Sequence, residues 1–264
     1  MSPPLNRDQI LEEMGLGPRW VRRDPATACR LTNAGTLEPA SVARAAVKAP
    51  IAESAPVSAI QSARSGIEDR GEIAAMDWER LRQSIASCRA CGLCAERKQA
   101  VPGVGDENAS WLFIGEGPGA EEDARGEPFV GQAGKLLDAM LAAIDLKRGE
   151  DVYIANAVKC RPPGNRTPEN DEVAACFPYL KRQIELIQPK LIVLLGRVAV
   201  TSVLGQDGSL SSLRGKALSY RVGDREIPVV VTYHPAYLLR NLPDKAKAWE
   251  DLCRSRALMR SLKQ

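Results

Sequence analysis

Four cysteines have a spacing that suits metal binding. Cys88 and Cys91 form a C-x-x-C pair, and Cys160 and Cys176 follow as widely separated single residues. Thiolates that converge from separate parts of a chain usually hold a metal ion or an iron–sulfur cluster. Zinc ribbons prefer two C-x-x-C pairs, so the pattern favours a [4Fe-4S] cluster, with structural zinc, reduced thiols or disulfides as alternatives. Cys94 makes a second C-x-x-C with Cys91, so these two are a competing ligand pair.

Three further side chains suit the recognition of a planar ligand. His234, the only histidine of the chain, directly precedes a proline. Asn156 follows an apolar run, and its carboxamide can present a donor and an acceptor to the edge of a nucleobase. Phe129 lies in a loop rich in Gly and Pro, where an aromatic ring can stack on a base. The alternatives are a structural histidine, an asparagine that satisfies backbone groups, and a phenylalanine that anchors its loop.

A glycine-rich segment imitates a nucleotide-binding motif. Gly115, Gly117 and Ala120 formally satisfy G-x-G-x-x-A, the dinucleotide fingerprint. Pro118 removes an N–H group that would face the pyrophosphate, and the acidic residues at 121–123 would repel it, so we reject this interpretation. The glycines instead allow the backbone to approach a flat ligand closely.

Apolar strands alternate with amphipathic helices from residue 77 onward. Strands are predicted at 111–114, 152–158, 191–196 and 228–233, a hairpin at 220–227, and helices at 78–85, 136–144, 170–187, 199–204 and 245–262. This alternation is typical of an α/β fold in which helices cover both faces of a parallel sheet. Ligands bind such sheets beyond the carboxyl ends of the strands, so the site is expected at Glu116, Gly117, Asn156, Gly196 and His234.

Composition divides the chain into two predicted regions. Residues 1–76 are the N-terminal extension, with a short amphipathic helix at 7–24 and then a largely disordered linker at about 27–75, which is poor in aromatic residues. The helix is expected either to fray or to dock on a protein partner. Asp77 is a plausible N-cap, and the folded domain is predicted at 77–264.

Charge and hydropathy exclude several classes of protein. The net charge of +3 permits nucleic-acid binding without arguing for it. No apolar run approaches the ~20 residues of a transmembrane helix, and polar residues stand where a signal peptide has its apolar core. Seven cysteines without an export signal indicate a reducing compartment, so we expect a cytoplasmic protein of the bacterial cytosol or nucleoid, away from membranes.

Four motifs, taken together, resemble one known family. They are Gly115-Glu116-Gly117-Pro118-Gly119, Pro128-Phe129-Val130-Gly131-Gln132-Ala133-Gly134, Asn156-Ala157-Val158-Lys159-Cys160-Arg161-Pro162-Pro163 and His234-Pro235-Ala236-Tyr237-Leu238-Leu239-Arg240. In order and spacing they closely resemble family 4 uracil-DNA glycosylases, the iron–sulfur members of the uracil-DNA glycosylase superfamily, over about residues 78–262. The resemblance implies a three-layer α/β/α sandwich with a four-stranded parallel sheet. It also implies a [4Fe-4S] cluster held by Cys88, Cys91, Cys160 and Cys176.

The resemblance further implies a hydrolase that removes uracil from DNA and leaves an abasic site. His234 would donate a hydrogen bond to uracil O2, and Asn156 would pair with N3–H and O4. Phe129 would stack on the ring, the backbone of Gly117 would contact the base, and Glu122 would guard C5 against the methyl group of thymine. The base must leave the helix to reach such a pocket.

Water activation and DNA contacts follow less directly from the motifs. Other members of the superfamily have an Asp in the first motif where this chain has Gly117, and Glu116 is the carboxylate nearest that position. Glu116 is either a catalytic residue or a residue that positions its loop. Leu238, four residues after His234, is the candidate wedge for the vacated stack. The residues expected on DNA phosphates are Arg240, Arg161, Arg166, Lys159 and Arg214.

A glycosylase of different base specificity competes with this function within the same chemistry, and two further functions also compete. The first is a non-catalytic or redox-sensing iron–sulfur protein that binds nucleic acid, which would not need His234, Asn156 and Phe129 together. The second is a relative that binds uracil-DNA covalently through histidine, which usually carries an extra histidine in a basic loop. We therefore expect a monofunctional uracil-DNA glycosylase that acts as a monomer on single- or double-stranded DNA containing uracil, with residues 7–24 as a docking segment for a protein partner.

Overall fold

The computed structural model describes residues 72–206 and 208–263. The predicted helix at 7–24 and most of the predicted linker lie outside the described residues. Ile73 and Met76 are buried and pack in the same apolar cluster as the first described long helix. The packed chain therefore begins before Asp77, because these two side chains bury apolar surface at the end of the segment predicted as linker.

The fold is built on a sheet that has six strands within the described residues. They are β1 (Val104–Gly105), β2 (Trp111–Gly115), β3 (Val152–Asn156), β4 (Leu191–Leu195), β5 (Leu218–Val222) and β6 (Arg225–Thr232). Their order across the sheet is β1-β3-β2-β4-β6-β5, with four parallel inner strands and two antiparallel edge strands. The predicted four-stranded parallel sheet is confirmed, and β1 and β5 extend it at its edges.

The predicted hairpin joins β5 to β6 through the two-residue turn at Gly223 and Asp224. Gly223 has a φ angle of +55°, which a tight hairpin turn of this kind requires. The second hairpin strand and the last core strand, predicted as separate elements, form the single strand β6.

Helices cover both faces of the sheet. They are α1 (Trp78–Ser87), α2 (Ala120–Arg125), α3 (Gln132–Ala142), α4 (Asn170–Ile187), α5 (Arg197–Leu204), α6 (Leu210–Leu213), α7 (Pro235–Leu238) and α8 (Lys245–Leu262). Leu137 of α3 and Leu252 of α8 pack on one face, while Leu180 of α4 and Val200 of α5 pack on the other. This arrangement confirms the three-layer α/β/α sandwich, and β2, β3 and β4 are buried along their whole length. Among the helices in the described ranges, none combines the length and the hydropathy that crossing a membrane requires.

The helix α1 begins at the predicted N-cap. The side chain of Asp77 accepts a hydrogen bond from the backbone N–H of Arg80 at 2.9 Å. The buried face of α1 belongs to a third apolar cluster that includes Cys160 and Cys176. Cys88 directly follows α1 as its C-cap, so this packing brings it toward the other cysteines.

Candidate active site

A cavity of about 760 Å³ opens at the carboxyl ends of the parallel strands. Residues just beyond β2, β3, β4 and β6 line it, which is where a parallel sheet is expected to bind its ligand. Its lining includes Glu116, Gly117, Glu122, Phe129, Asn156, Gly196, His234, Tyr237 and Arg240. The imidazole, carboxamide and phenyl ring that the sequence singled out therefore share one cavity.

His234 enters this cavity as the N-cap of α7. Its Nδ1 atom accepts a hydrogen bond from the backbone N–H of Ala236 at 3.1 Å, so the proton of the neutral ring lies on Nε2. Burial, with a smaller effect of the Arg240 charge, lowers the pKa of His234 to about 4 against an opposing effect of Glu122. The imidazole is therefore neutral near pH 7, and its Nε2–H group is the donor it offers to a ligand.

Phe129 and Asn156 meet at Gly115, the last residue of β2. A Cβ atom on Gly115 would lie 2.5 Å from the Phe129 Cζ atom and equally close to Asn156 Oδ1, so only glycine leaves room for both. The ring of Phe129 also stacks beside the imidazole of His234, with centroids 5.4 Å apart and an interplanar angle of 29°. These contacts gather the three side chains around one volume.

Asn156 offers an unpaired acceptor in a buried position. Its side chain is 2% exposed, and its Oδ1 atom has no hydrogen-bond partner among the described residues. An unpaired buried acceptor costs about 1–3 kcal/mol, a cost that a ligand donor would remove.

The backbone oxygen of Asn156 accepts a hydrogen bond from Lys159 Nζ at 2.8 Å. The expectation that Lys159 contacts DNA phosphates is wrong, because its amine is buried and also bonds to Gln183 at 2.6 Å.

Glu122 holds the loop that carries Phe129. Its carboxylate accepts hydrogen bonds from the backbone N–H groups of Gly119, Val130 and Gly131 at 3.1, 2.9 and 3.0 Å. These bonds tie the start of α2 to the loop that follows it. Glu122 lines the cavity as expected, while its contact with uracil C5 stays a prediction.

Glu116 and Gly117 follow β2 on the cavity wall. Burial raises the pKa of the Glu116 carboxyl, and a hydrogen bond with Thr167 partly offsets that effect. A Cβ atom on Gly117 would lie 2.7 Å from Val158 Cγ2, so a larger residue would push the two segments apart. The catalytic role of Glu116 and the base contact of Gly117 stay predictions.

Leu238 does not face the mouth of the cavity. It is 1% exposed and packs into the core cluster beside α3 and α8. The prediction that Leu238 enters the base stack is therefore wrong, because the short helix α7 turns its side chain inward. Leu239 and Leu242, which are 42% and 61% exposed, are the large apolar side chains that this segment presents to solvent. Arg240 lies between them, is exposed, and lines the cavity.

The remaining arginines assigned to phosphates have different surroundings. The guanidinium of Arg214 pairs with Asp251 at 2.6 Å and is 12% exposed, so the expectation of a phosphate contact is wrong there. Arg166 lines the cavity and donates to both carboxylate oxygens of Glu172, at 2.8 and 2.6 Å. Arg161 is partly exposed. Arg161 and Arg166 are accessible enough to reach DNA, so their contacts with phosphates stay predictions.

A second, smaller cavity is lined by cysteines from three segments of the chain, at 88–94, at 160 and at 176. These cysteines are Cys88, Cys91, Cys94, Cys160 and Cys176. The guanidinium of Arg97 donates to Cys160 Sγ at 2.9 Å, and the backbone N–H of Lys159 donates to Cys176 Sγ at 3.3 Å. Within the described ranges, no three His, Cys, Asp or Glu side chains are arranged as ligands of a single metal ion. Cys253 is exposed elsewhere, and Cys29 lies outside the described residues.

Three residues around these cavities were not predicted. Thr167 lies four residues after the motif at 156–163, so its proximity to the Glu116 carboxyl group had a weak sequence signal. Arg97 follows the cysteine pairs closely, and a basic residue there is a weak signal for a thiolate partner. Arg148 donates to carbonyl groups 19 and 20 residues away, and no local pattern marks it.

Comparison of the sequence with known proteins shows the family of the chain. A family model described as the uracil DNA glycosylase superfamily matches residues 102–253. The chain is 45% identical over 177 residues to a type-4 uracil-DNA glycosylase of Sulfurisphaera tokodaii, covering 66% of this chain and 80% of that protein. It is 47% identical over 161 residues to one from Archaeoglobus fulgidus (60% and 80%) and 41% identical over 181 residues to one from Pyrobaculum aerophilum (67% and 92%). The chain therefore belongs to the uracil DNA glycosylase superfamily and, within it, to the type-4 uracil-DNA glycosylases.

Proposed function

We propose that the protein is a monofunctional DNA repair glycosylase that hydrolyses the N-glycosidic bond of uracil in DNA and leaves an abasic site. The observation that carries this proposal is the single cavity shared by His234, Asn156 and Phe129, which are far apart in sequence. Its volume of about 760 Å³ suits a nucleotide that has left the helix. The names of the relatives support the same reaction.

Selection of uracil rests on the carboxamide of Asn156. Its unpaired Oδ1 atom would accept the N3–H of uracil, and its amide group would donate to O4. Cytosine presents the reverse pattern, with an acceptor at N3 and a donor at position 4, so both pairs would be mismatched in a buried site. Phe129 would hold the base by stacking, which every base permits, so discrimination falls to the asparagine.

Cleavage places negative charge on the departing uracil and positive charge on the sugar. The Nε2–H group of His234 would donate to O2, where the negative charge develops. Because Ala236 fixes the other ring nitrogen, this donor is already oriented before the reaction. We assign Glu116 to the orientation of the attacking water, since it is a carboxylate on the cavity wall and a dissociative transition state tolerates a weak nucleophile.

DNA would lie across the mouth of the cavity. Arg240, with Arg161 and Arg166, would contact phosphates and set the register of the strand. Leu239 and Leu242 flank Arg240 and are exposed, so they are the side chains able to fill the gap that the extruded base leaves.

The thiol donors around the small cysteine cavity match the ligand chemistry of the iron–sulfur cluster that the family implies. Arg97 and the Lys159 backbone already donate to two of the sulfurs. We assign Cys88, Cys91, Cys160 and Cys176 as ligands, with Cys94 as a spare thiol. When bound, the cluster would cross-link the end of α1, the segment after β3 and α4. The ligands would thereby hold the 161–168 loop against the cavity.

The surroundings of the enzyme follow from the same proposal. We expect it to act as a monomer on DNA in the cytoplasm, with residues 7–24 able to dock on a protein partner. Size-exclusion chromatography with light scattering tests the first point, since a stable dimer would contradict it.

The deciding experiment uses oligonucleotides that carry one uracil, one thymine or one cytosine at the same position. The uracil strand should become alkali-labile at that position while the other two stay intact. A His234→Ala variant should still bind the uracil strand and excise at a much lower rate. An iron-loaded protein that leaves the uracil strand intact would contradict the proposal.

A further inference from the structure

The backbone around Phe129 is held from both sides by charged side chains. The guanidinium of Arg148 donates from Nη1 to the Pro128 oxygen and from Nη2 to the Phe129 oxygen, both at 2.8 Å. The carboxylate of Glu122 accepts the N–H groups of the next two residues. The Arg148 guanidinium and the Glu122 carboxylate together therefore hold the three consecutive peptide groups around Phe129.

The conformation of Phe129 explains why such a hold is needed. Its φ angle is +56°, in the left-handed region that side chains other than glycine rarely adopt. The start of α3 approaches so closely that a Cβ atom on Gly134 would lie 1.8 Å from the Phe129 oxygen. A donor on the Pro128 and Phe129 carbonyl groups opposes relaxation of the loop toward an extended conformation, in which the ring would move away from His234.

Arg148 is itself oriented for this contact. Its Nε and Nη2 atoms lie 3.1 and 2.9 Å from Asp138 Oδ1 on α3, and Glu127 lies 3.8 Å away. Its side chain is 20% exposed and does not line the cavity that His234, Asn156 and Phe129 share. A planar guanidinium can bridge two neighbouring carbonyl groups and one carboxylate, which an ammonium group cannot do with the same geometry.

We propose that Arg148 is a positioning residue for base recognition, which fixes the Phe129 backbone so that the phenyl ring stays where the extruded base stacks. Arg148 acts on the base only through that ring. The inference rests on the proposed function, because it requires uracil as the stacked ligand.

A double-mutant cycle tests the inference. Single-turnover excision of uracil and thermal melting are measured for wild type, Arg148→Gln, Phe129→Ala and the double variant. Arg148→Gln alone should slow excision roughly tenfold or more, as small displacements of a positioning group do. In the Phe129→Ala background it should slow excision less than about twofold, because the ring that it positions is gone. Equal losses in both backgrounds would overturn the inference, since they would indicate a general structural role.

Controls keep the outcomes distinct. Arg256→Gln removes another arginine–aspartate pair, with Asp145, and should excise at the wild-type rate. Arg148→Lys should excise uracil faster than Arg148→Gln and slower than wild type. A rate equal to that of wild type would contradict the bridging geometry. If Arg148→Gln does not fold, Asp138→Asn replaces it in the cycle. Asp138→Asn should slow excision less than Arg148→Gln is expected to, and this loss should again shrink in the Phe129→Ala background. Wild type that excises no uracil overturns the proposed function, whereas active wild type with additive losses overturns only the role of Arg148.

Discussion

Gly115 and Asn156 are partners in the parallel ladder between β2 and β3, and a Cβ atom on the glycine would lie 2.5 Å from the asparagine Oδ1. Gly115→Ala should therefore displace both the carboxamide and the Phe129 ring, and lower kcat/KM about a hundredfold. Gly208→Ala is the matched control, since its Cβ would make an ordinary 3.4 Å contact with Leu213. Steady-state kinetics that are unchanged in Gly115→Ala would show that the pocket is not used.

The pKa of His234 predicts a loss of stability in acid. The folded-state pKa is about 4 against an ordinary value of 6.5, so between these values the unfolded chain binds a proton that the folded chain does not. Stability from this group is full above about pH 6.5 and is lost as pH falls toward 4, by about 3 kcal/mol in total. Urea unfolding at about pH 7 and about pH 5 should show a larger difference for wild type than for His234→Gln.

Glu116 contributes to the same titration with the opposite sign. Burial raises the pKa of its carboxyl, so stability from this group falls as pH rises above the ordinary carboxyl range. Because Glu116 is present in wild type and in His234→Gln, its effect cancels in the comparison. Equal acid sensitivity of the two proteins would contradict the assignment to His234, the only histidine of the chain.

The exposed leucines beside Arg240 should matter only for duplex DNA. Replacing Leu239 and Leu242 together by alanine should slow excision from double strands roughly tenfold and leave single strands unaffected, because an unstacked strand leaves no gap to fill. Leu262→Ala, at the far end of α8, is the control with an exposed leucine. Equal losses on both substrates would rule out the wedge.

Leu238 should behave as a core residue. Because it is 1% exposed, Leu238→Ala should lower the free energy of unfolding by about 2–5 kcal/mol. Chemical denaturation measures this loss, and excision below the unfolding transition should show no preference for one type of strand. A stable variant that fails only on duplex DNA would restore Leu238 as the wedge.

Serine substitutions distinguish the cysteines of the small cavity. Cys88→Ser, Cys91→Ser, Cys160→Ser and Cys176→Ser should each lose iron and visible absorbance, while Cys94→Ser and the exposed control Cys253→Ser should keep both. Iron analysis of protein purified without oxygen provides the measurement. Retention of iron in Cys88→Ser with loss in Cys94→Ser would assign the pair Cys91/Cys94, and a colourless wild type with one zinc would exclude the cluster.

Truncation should locate the start of the folded unit between residues 72 and 76. Removal of residues 2–71 should leave excision unchanged. Removal through Met76 should lower the free energy of unfolding by about 3 kcal/mol, because it deletes two buried side chains and the carbonyl that accepts a hydrogen bond from Arg182 at 2.7 Å. Equal melting temperatures for the two truncations would contradict this boundary.

Local patterns predicted the elements that depend on local chemistry. The continuous apolar runs that became β2, β3 and β4 are typical of strands covered on both faces, and Asp77 caps α1 because its side chain bonds within one turn. The two-residue strand β1 was missed because it is too short to show a period. Leu238 was placed on the wrong side because a four-residue helix shows no reliable face, and the packing against the core decides its direction.

By itself, the sequence determined the α/β class, the family and the positions of the polar side chains at the strand ends, since residue type and spacing carry that information. Only the tertiary structure decided what each charged group bonds to. Lys159 donates a hydrogen bond to the backbone of Asn156, Arg214 donates to Asp251, and Arg148 donates to the carbonyl groups beside Phe129. A charge is attracted to whatever partner the fold brings within about 3 Å, and distance along the chain does not reveal that partner.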